Sequence, residues 1–146
     1  MTYQVGLAIE CRDFASATQV SNYFSVWVAT HTGILIRSLT KVKGHQDSEN
    51  NYWITIYHKY DLAPPNLAYL YDALQVSKLD YRYALAGIEV DEFRTYSELI
   101  EDLPTIDIPG LVISSKLIKK ANKNSYKIFS EGYFWQPYKP PHNLVN

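Results

Sequence analysis

Three features of the sequence predict an α+β fold. Asn51 to Tyr60, NYWITIYHKY, alternates Tyr52, Ile54, Ile56, His58 and Tyr60 against Trp53, Thr55, Tyr57 and Lys59. That is the two-residue period of a strand, in β-branched and aromatic residues that suit a pleated surface. Two other segments, from Phe14 and from Leu67, carry apolar residues at steps of three and four, as amphipathic helices do. In chain order the segments read β-α-β-β-α-β, the ferredoxin-like split β-α-β arrangement with an antiparallel sheet. Right-handed crossovers then put the first and third strands in the middle and both helices on one face. An aromatic-rich C-terminal extension follows, so the 146 residues make a single domain with a core over 1–92 and an extension over 93–146.

The first strand is Tyr3 to Cys11, with Tyr3, Val5, Leu7, Ile9 and Cys11 against Gln4, Gly6, Ala8 and Glu10. Gly6 and Ala8 leave space on the second face for a neighbouring Tyr or a ligand, with Tyr the favoured filling. Asp13 is placed to cap a helix running to about Thr32, with Gly33 as its stop. Its stripe is Phe14, Ala17, Val20, Phe24, Trp27, Val28 and His31, which puts Trp27 in the core and His31 at a helix C-terminus that favours imidazolium. Ile34 to Lys43 is the second strand, and the polar loop Gly44 to Asn50 turns it into Asn51 to Tyr60 as a hairpin. That inner strand has large groups on both faces and is expected to be covered on one side and partly open on the other. Pro64 and Pro65 open a second helix with Leu67, Leu70, Tyr71 and Leu74, ending near Leu79. Asp80 to Val90 is the fourth strand, Ala84, Ala86, Ile88 and Val90 against Tyr81, Tyr83 and Leu85.

In the extension, Thr95 and Glu98 form a capping box ahead of YSELIEDL, which Pro104 closes. Leu111 to Ile113 reads as a short strand and Ser114 as the cap of a further helix, SKLIKKA. The tail YKIFSEGYFWQPYKPP carries too much apolar surface to stand in water. It is expected to pack across the sheet face or a helix of its own chain, with a homodimer contact as the alternative.

Composition narrows the functional classes. A formal net charge of -1 gives no global pull toward nucleic acid or an anionic membrane. Trp53 and Tyr57 sit where RNA-binding modules of the split fold carry stacking aromatics. The basic-glycine start of that motif is missing, and no nucleic acid is expected. The single cysteine, Cys11, forbids an intrachain disulfide and fits a reducing cytoplasm. No apolar run approaches the ~20 residues of a membrane span, and the N-terminus lacks the pattern of a signal peptide. The four histidines and Cys11 show no metal-ligand spacing, and His45, Asp47 and Glu49 read as a solvated polar turn. Cys11 reads as a small core hydrophobe. With no glycine-rich phosphate loop and no nucleophile–base motif, neither a cofactor nor a catalytic residue is predicted, and the balance favours a protein that is not an enzyme.

Charge is segregated along the chain. Seven acidic residues and Arg94 occupy Glu89 to Asp107, whereas Lys116 to Lys127 carries five lysines and no acid. The leading expectation is a recognition protein of inhibitor or immunity type, engaging a protein partner through Glu98, Glu101, Asp102 and exposed aromatics. Solvated surface with intramolecular pairing is the plainer account of the same residues. The second expectation is small-molecule binding, drawn from an aromatic content of 14% with 13 Tyr. Its candidate walls are Tyr52, Trp53, Tyr57, Tyr81, Tyr83 and Trp135, of which only those sharing a face can line one cleft.

YRYALAGIEVDEF, from Tyr81 to Phe93, resembles a strand of AraC-associated, gyrase-inhibitor-like effector-binding domains. Val5 to Leu7 followed by Trp27 is similar to their opening strand and helix. The resemblance implies an aromatic-lined cleft with an acidic residue, binding small cationic or aromatic molecules. That family repeats its strand-helix-strand-strand module, and the segment after YKIFSEG is too short to do so.

Overall fold

The computed structural model describes residues 3–30, 40–60, 67–88 and 93–139. Its elements are β1 (Tyr3–Glu10), α1 (Phe14–Thr30), β2 (Thr40–Gln46), β3 (Tyr52–Tyr60), α2 (Ala68–Gln75) and β4 (Tyr83–Ile88), then α3 (Tyr96–Asp102), β5 (Val112–Ser114), β6 (Lys127–Ser130) and β7 (Tyr133–Trp135). The strands join in one seven-stranded sheet, in the order β2-β3-β1-β4-β5-β7-β6, with every pairing antiparallel. The fold is α+β. Three strands lie beyond the four of the β-α-β-β-α-β unit, the first of them at the short strand read over Leu111 to Ile113, so the sheet as a whole does not have the ferredoxin-like order.

Alternation along β1 decides the layers. Leu7 and Ile9 face one side, where Ile54, Ile56, Ala84 and Ala86 join them under α1 and α2. From α1 come Val20, Phe24 and Trp27, and from α2 Leu70, Tyr71 and Leu74, the stripes read from the spacing. Ala8 faces the other side with Trp53, Tyr83 and Leu85, beneath Leu99, Leu103, Ile106 and Leu111. The segment around Trp53 is therefore covered on both faces, with Trp53 and Ile56 each at 0% exposure. The expected half-open face is closed by α3 and the loop after it, because the bulky Trp53 and Tyr83 need an apolar cover.

The tail adopts a different arrangement from a strap laid across the sheet. β5 pairs with β4, β7 with β5 and β6 with β7, so the extension prolongs the sheet edge to edge. Phe129, Tyr133, Trp135 and Tyr138 still pack inward on the α2 side, and Tyr126 and Phe134 on the other. Trp135 lies 5.3 Å from Tyr71 and 4.9 Å from Phe129, and the Tyr138 hydroxyl accepts the Leu67 N–H at 3.1 Å.

Local details follow from capping chemistry. Asp13 caps α1 as its side chain predicts, Oδ1 accepting the Ser16 N–H at 2.9 Å. Thr95 and Glu98 form the reciprocal box that opens α3. The strand expected at Ile34 to Lys43 continues instead through Gln46, with Gly44, His45 and Gln46 paired to Ile54, Trp53 and Tyr52. Asp47 makes this possible. Its Oδ1 accepts the N–H groups of Glu49 at 2.9 Å and Asn51 at 3.2 Å, and Asn50 takes a left-handed φ of 65°. The loop thus contracts to a tight turn. SKLIKKA forms a 3-10 turn at Ile118–Lys120, followed by another at Lys123–Ser125, rather than an α-helix. His31, Gly33, residues 34–39, Pro64, Pro65, Glu89, Asp91 and Glu92 lie outside the described residues.

Gly6 faces Tyr57 across β1 and β3. A Cβ there would stand 2.6 Å from the Ile56 carbonyl oxygen and 2.8 Å from Tyr57 Cβ, so the space left by glycine is taken by a tyrosine strand. Backbone cannot move aside as a flexible side-chain tip can. Gly6→Ala is expected to destabilise by about 1–3 kcal/mol, the range for overpacking, as a lower urea midpoint at unchanged slope.

Candidate binding cleft

A cleft of about 410 Å³ opens between the first half of α1 and the edge of the sheet formed by β2 and β3. Phe14, Ala17 and Asn22 contribute from the helix, and Tyr52 and Ile54 from β3. Gly44 of the edge strand β2 forms part of the lining opposite Ile54. The position lacks a side chain, and a Cβ would touch only the Ile54 Cδ1 tip, at 3.2 Å, and the Trp53 carbonyl oxygen, at 3.7 Å. The gap exists because strand register puts glycine, and no larger residue, beside Ile54.

Phe14 begins the helix stripe, where spacing predicts a core residue. It is 67% exposed, since the first turn of α1 overhangs the sheet edge. Its ring meets Tyr52 edge to face, with centroids 5.7 Å apart. Ser21, Asn22 and Gln46 supply polar groups at the rim, His45 also belongs to the lining, and among the described residues that line the cleft there is no Asp, Glu, Lys or Arg. An uncharged, partly aromatic cleft of this size matches planar organic molecules better than ions.

The predicted aromatic residues separate onto different faces. Tyr52 lines the cleft. Trp53 borders it, but its ring lies on the opposite face, edge-on to Tyr83 at 5.4 Å, with Nε1 donating to Asp47 Oδ2 at 2.8 Å. Tyr83 is buried there, its hydroxyl donating to the Arg94 carbonyl, and burial holds its phenol far above the usual range. Tyr57 is half-buried opposite Gly6. Tyr81 stacks on Tyr133 at 4.2 Å in the α2-side core, its hydroxyl buried without a hydrogen-bond partner. Trp135 belongs to the Tyr71–Phe129 cluster. Only Tyr52 and Trp53 meet at one cleft.

Two of the three predicted partner-binding acids already have roles within the chain. Glu98 receives the Thr95 N–H at 2.9 Å, and Asp102 pairs with Arg94 at 3.0 Å. Glu101 is exposed. Cys11 is buried, and burial raises its thiol far above the ordinary value, so it stays protonated as a core group.

Two buried polar centres are not evident from local sequence patterns. Asp47 joins the β2–β3 turn to the Trp53 indole and is buried, so the expected solvated turn is instead a structural hub. Glu10 is at 0% exposure and receives both Nε and an Nη of Arg82, together with the Arg12 N–H at 2.9 Å. Burial raises its carboxyl above the ordinary range, and Arg82 opposes that rise. The Arg82 guanidinium also lies over the Tyr96 ring, 3.7 Å from its centroid. The one available signal for Glu10 is a carboxylate at an inward position, next to Ala8 in the alternation, which demands a cation from elsewhere.

No protein-family model matches the sequence, and no curated protein or solved structure matches it. Among the described residues no helix is long and apolar enough to cross a membrane, and no group of His, Cys, Asp and Glu is placed to hold a metal ion.

Proposed function

We propose that the protein is a non-enzymatic binding domain that takes a small, uncharged, planar molecule into the cleft between α1 and the β2–β3 edge. The observation that carries this reading is the pairing of exposed Phe14 with half-buried Tyr52 beside the gap at Gly44. A volume of about 410 Å³ suits a ligand of a few fused rings. The absence of Asp and Glu from the described lining favours the aromatic over the cationic members of the effector class that the Tyr81–Phe93 resemblance implies. The pairing of β2, β3, β1 and β4, with α1 and α2 on one face, supports reading these six elements as a ferredoxin-like split β-α-β unit carrying an added edge. The buried, protonated Cys11 fits a reducing compartment such as the cytoplasm.

Gly44→Val tests the site. Valine suits an edge strand, and its Cβ would meet the end of the Ile54 side chain at 3.2 Å and a carbonyl at 3.7 Å with no backbone clash, so the fold is expected to persist. The wild-type chain should gain about 2.7 kcal/mol of stability with a bound planar aromatic at 100 times its Kd, read as a thermal shift, and Gly44→Val should lose that gain. A flat response of the wild type across a panel of uncharged bicyclic and tricyclic aromatics defeats the proposal.

The second reading, a protein partner met through the acidic segment, has the exposed Glu101 in its favour. It predicts that Glu101→Gln slows association most at low salt, as measured by surface-capture kinetics with a purified partner.

A further inference from the structure

We infer that a second cleft, at the end of the sheet where β1 finishes and β4 begins, binds an oxyanion group, a phosphate or carboxylate carried by a small molecule. This cleft, of about 290 Å³, is lined by Arg12, Arg82, Lys116, Ser114, Ser115 and Asp80, among others. It shares no lining residue with the Phe14–Tyr52 cleft.

Arg82 is the central donor. Its main chain is fixed between strands, its N–H donating to the Glu10 carbonyl at 2.8 Å and its carbonyl accepting the Ser114 N–H at 2.9 Å. Its guanidinium is fixed as well, one edge on the Glu10 carboxylate and one face on Tyr96. A guanidinium has five N–H donors, and the Glu10 contact engages only those on one side. With its side chain 20% exposed, the remaining donors stand at the cleft already immobilised, which removes most of the entropy cost of recognising a planar or tetrahedral oxyanion.

Arg12 adds a backbone argument. It takes a φ of 67°, a left-handed conformation that costs energy for a residue with a Cβ, and its N–H is bonded to Glu10 Oε1. Its side chain pairs with Asp13 at 3.0 Å in a contact exposed on both sides, which a competing anion displaces at small cost. Lys116 is exposed on the turn after β5, and Ser114 and Ser115 offer hydroxyls beside it. Glu10 neutralises Arg82 from behind and Asp13 neutralises Arg12, so aligned donors rather than a strong local field make the site. Asp80 at the opposite margin disfavours multiply charged ligands and leaves room for one anionic group.

The test uses the full chain at low ionic strength, titrated separately with inorganic phosphate, acetate and chloride while the melting temperature is followed. A saturable rise with phosphate or with acetate, absent with chloride at matched ionic strength, is the expected result, and the more effective ion names the oxyanion. Lys116→Ala combined with Ser115→Ala should leave the unliganded melting temperature in place and weaken the response about tenfold, the effect of losing a charge-assisted hydrogen bond. Arg82 is unsuitable as the first variant because the fold depends on it. Equal responses to all three ions, no response to either oxyanion, or an undiminished response in the double variant overturns the inference. Gly44→Val should leave it untouched, which separates this site from the aromatic cleft.

Discussion

Arg82→Leu is expected to cost the fold about 3–5 kcal/mol at neutral pH, the penalty for removing one partner of a buried ion pair. Glu10 would be left at zero exposure with only the Arg12 N–H on its carboxylate. The direction with pH is fixed by the same contacts. Burial already lifts the Glu10 carboxyl above its ordinary 4.5, and losing Arg82 lifts it further. A carboxyl whose folded value lies above its unfolded one binds its proton more readily when folded, so the penalty is full above the folded value. It is relieved as pH falls through that value toward 4.5. Urea midpoints of variant and wild type at pH 7 and pH 5 should therefore differ less at the lower pH. An identical deficit at both would assign the loss to packing. The Arg82→Leu, Glu10→Gln double variant should recover part of the lost stability, since no charge is then left stranded.

Trp53→Ala is expected to cost a similar 3–5 kcal/mol, the range for removing a large buried aromatic. The ring fills the space over Ala8 beside Tyr83, and its N–H satisfies a carboxylate that also organises the β2–β3 turn. Trp53→Phe separates the two contributions by keeping a ring against Tyr83 while leaving Asp47 Oδ2 without the indole. Chemical denaturation should place it between wild type and Trp53→Ala. If the Ala variant loses less than about 1 kcal/mol, below even a mild core truncation, the ring does not sit where the sheet places it.

Strands long enough to show a period were legible in the sequence. β1, β3 and β4 follow from alternation, α1 and α2 from their stripes, and the start of α3 from Thr95 and Glu98. β5 falls at the short strand read over Leu111 to Ile113, whereas β6 and β7 offer too few residues for a period to emerge, so a segment that extends the sheet reads as an aromatic tail. Asp47 looks like one polar residue among several in GHQDSEN, and nothing local says that its carboxylate meets the Trp53 indole. The partner of Glu10 lies 72 positions away and is beyond any local pattern. The aromatic cleft was half legible. Tyr52 stands out on its strand, but Phe14 reads as core because the pattern does not show that the helix start overhangs the sheet, and Gly44 reads as the start of a loop.

β1 is hydrogen-bonded to β3 along one side and to β4 along the other. Both partners follow β1 in the chain, so β1 is paired on both sides only after the chain through Ile88 has emerged from the ribosome. Until then Leu7 and Ile9 lack the partners that cover them. Such distant pairing slows folding, and during translation it leaves an apolar ribbon open to chaperones.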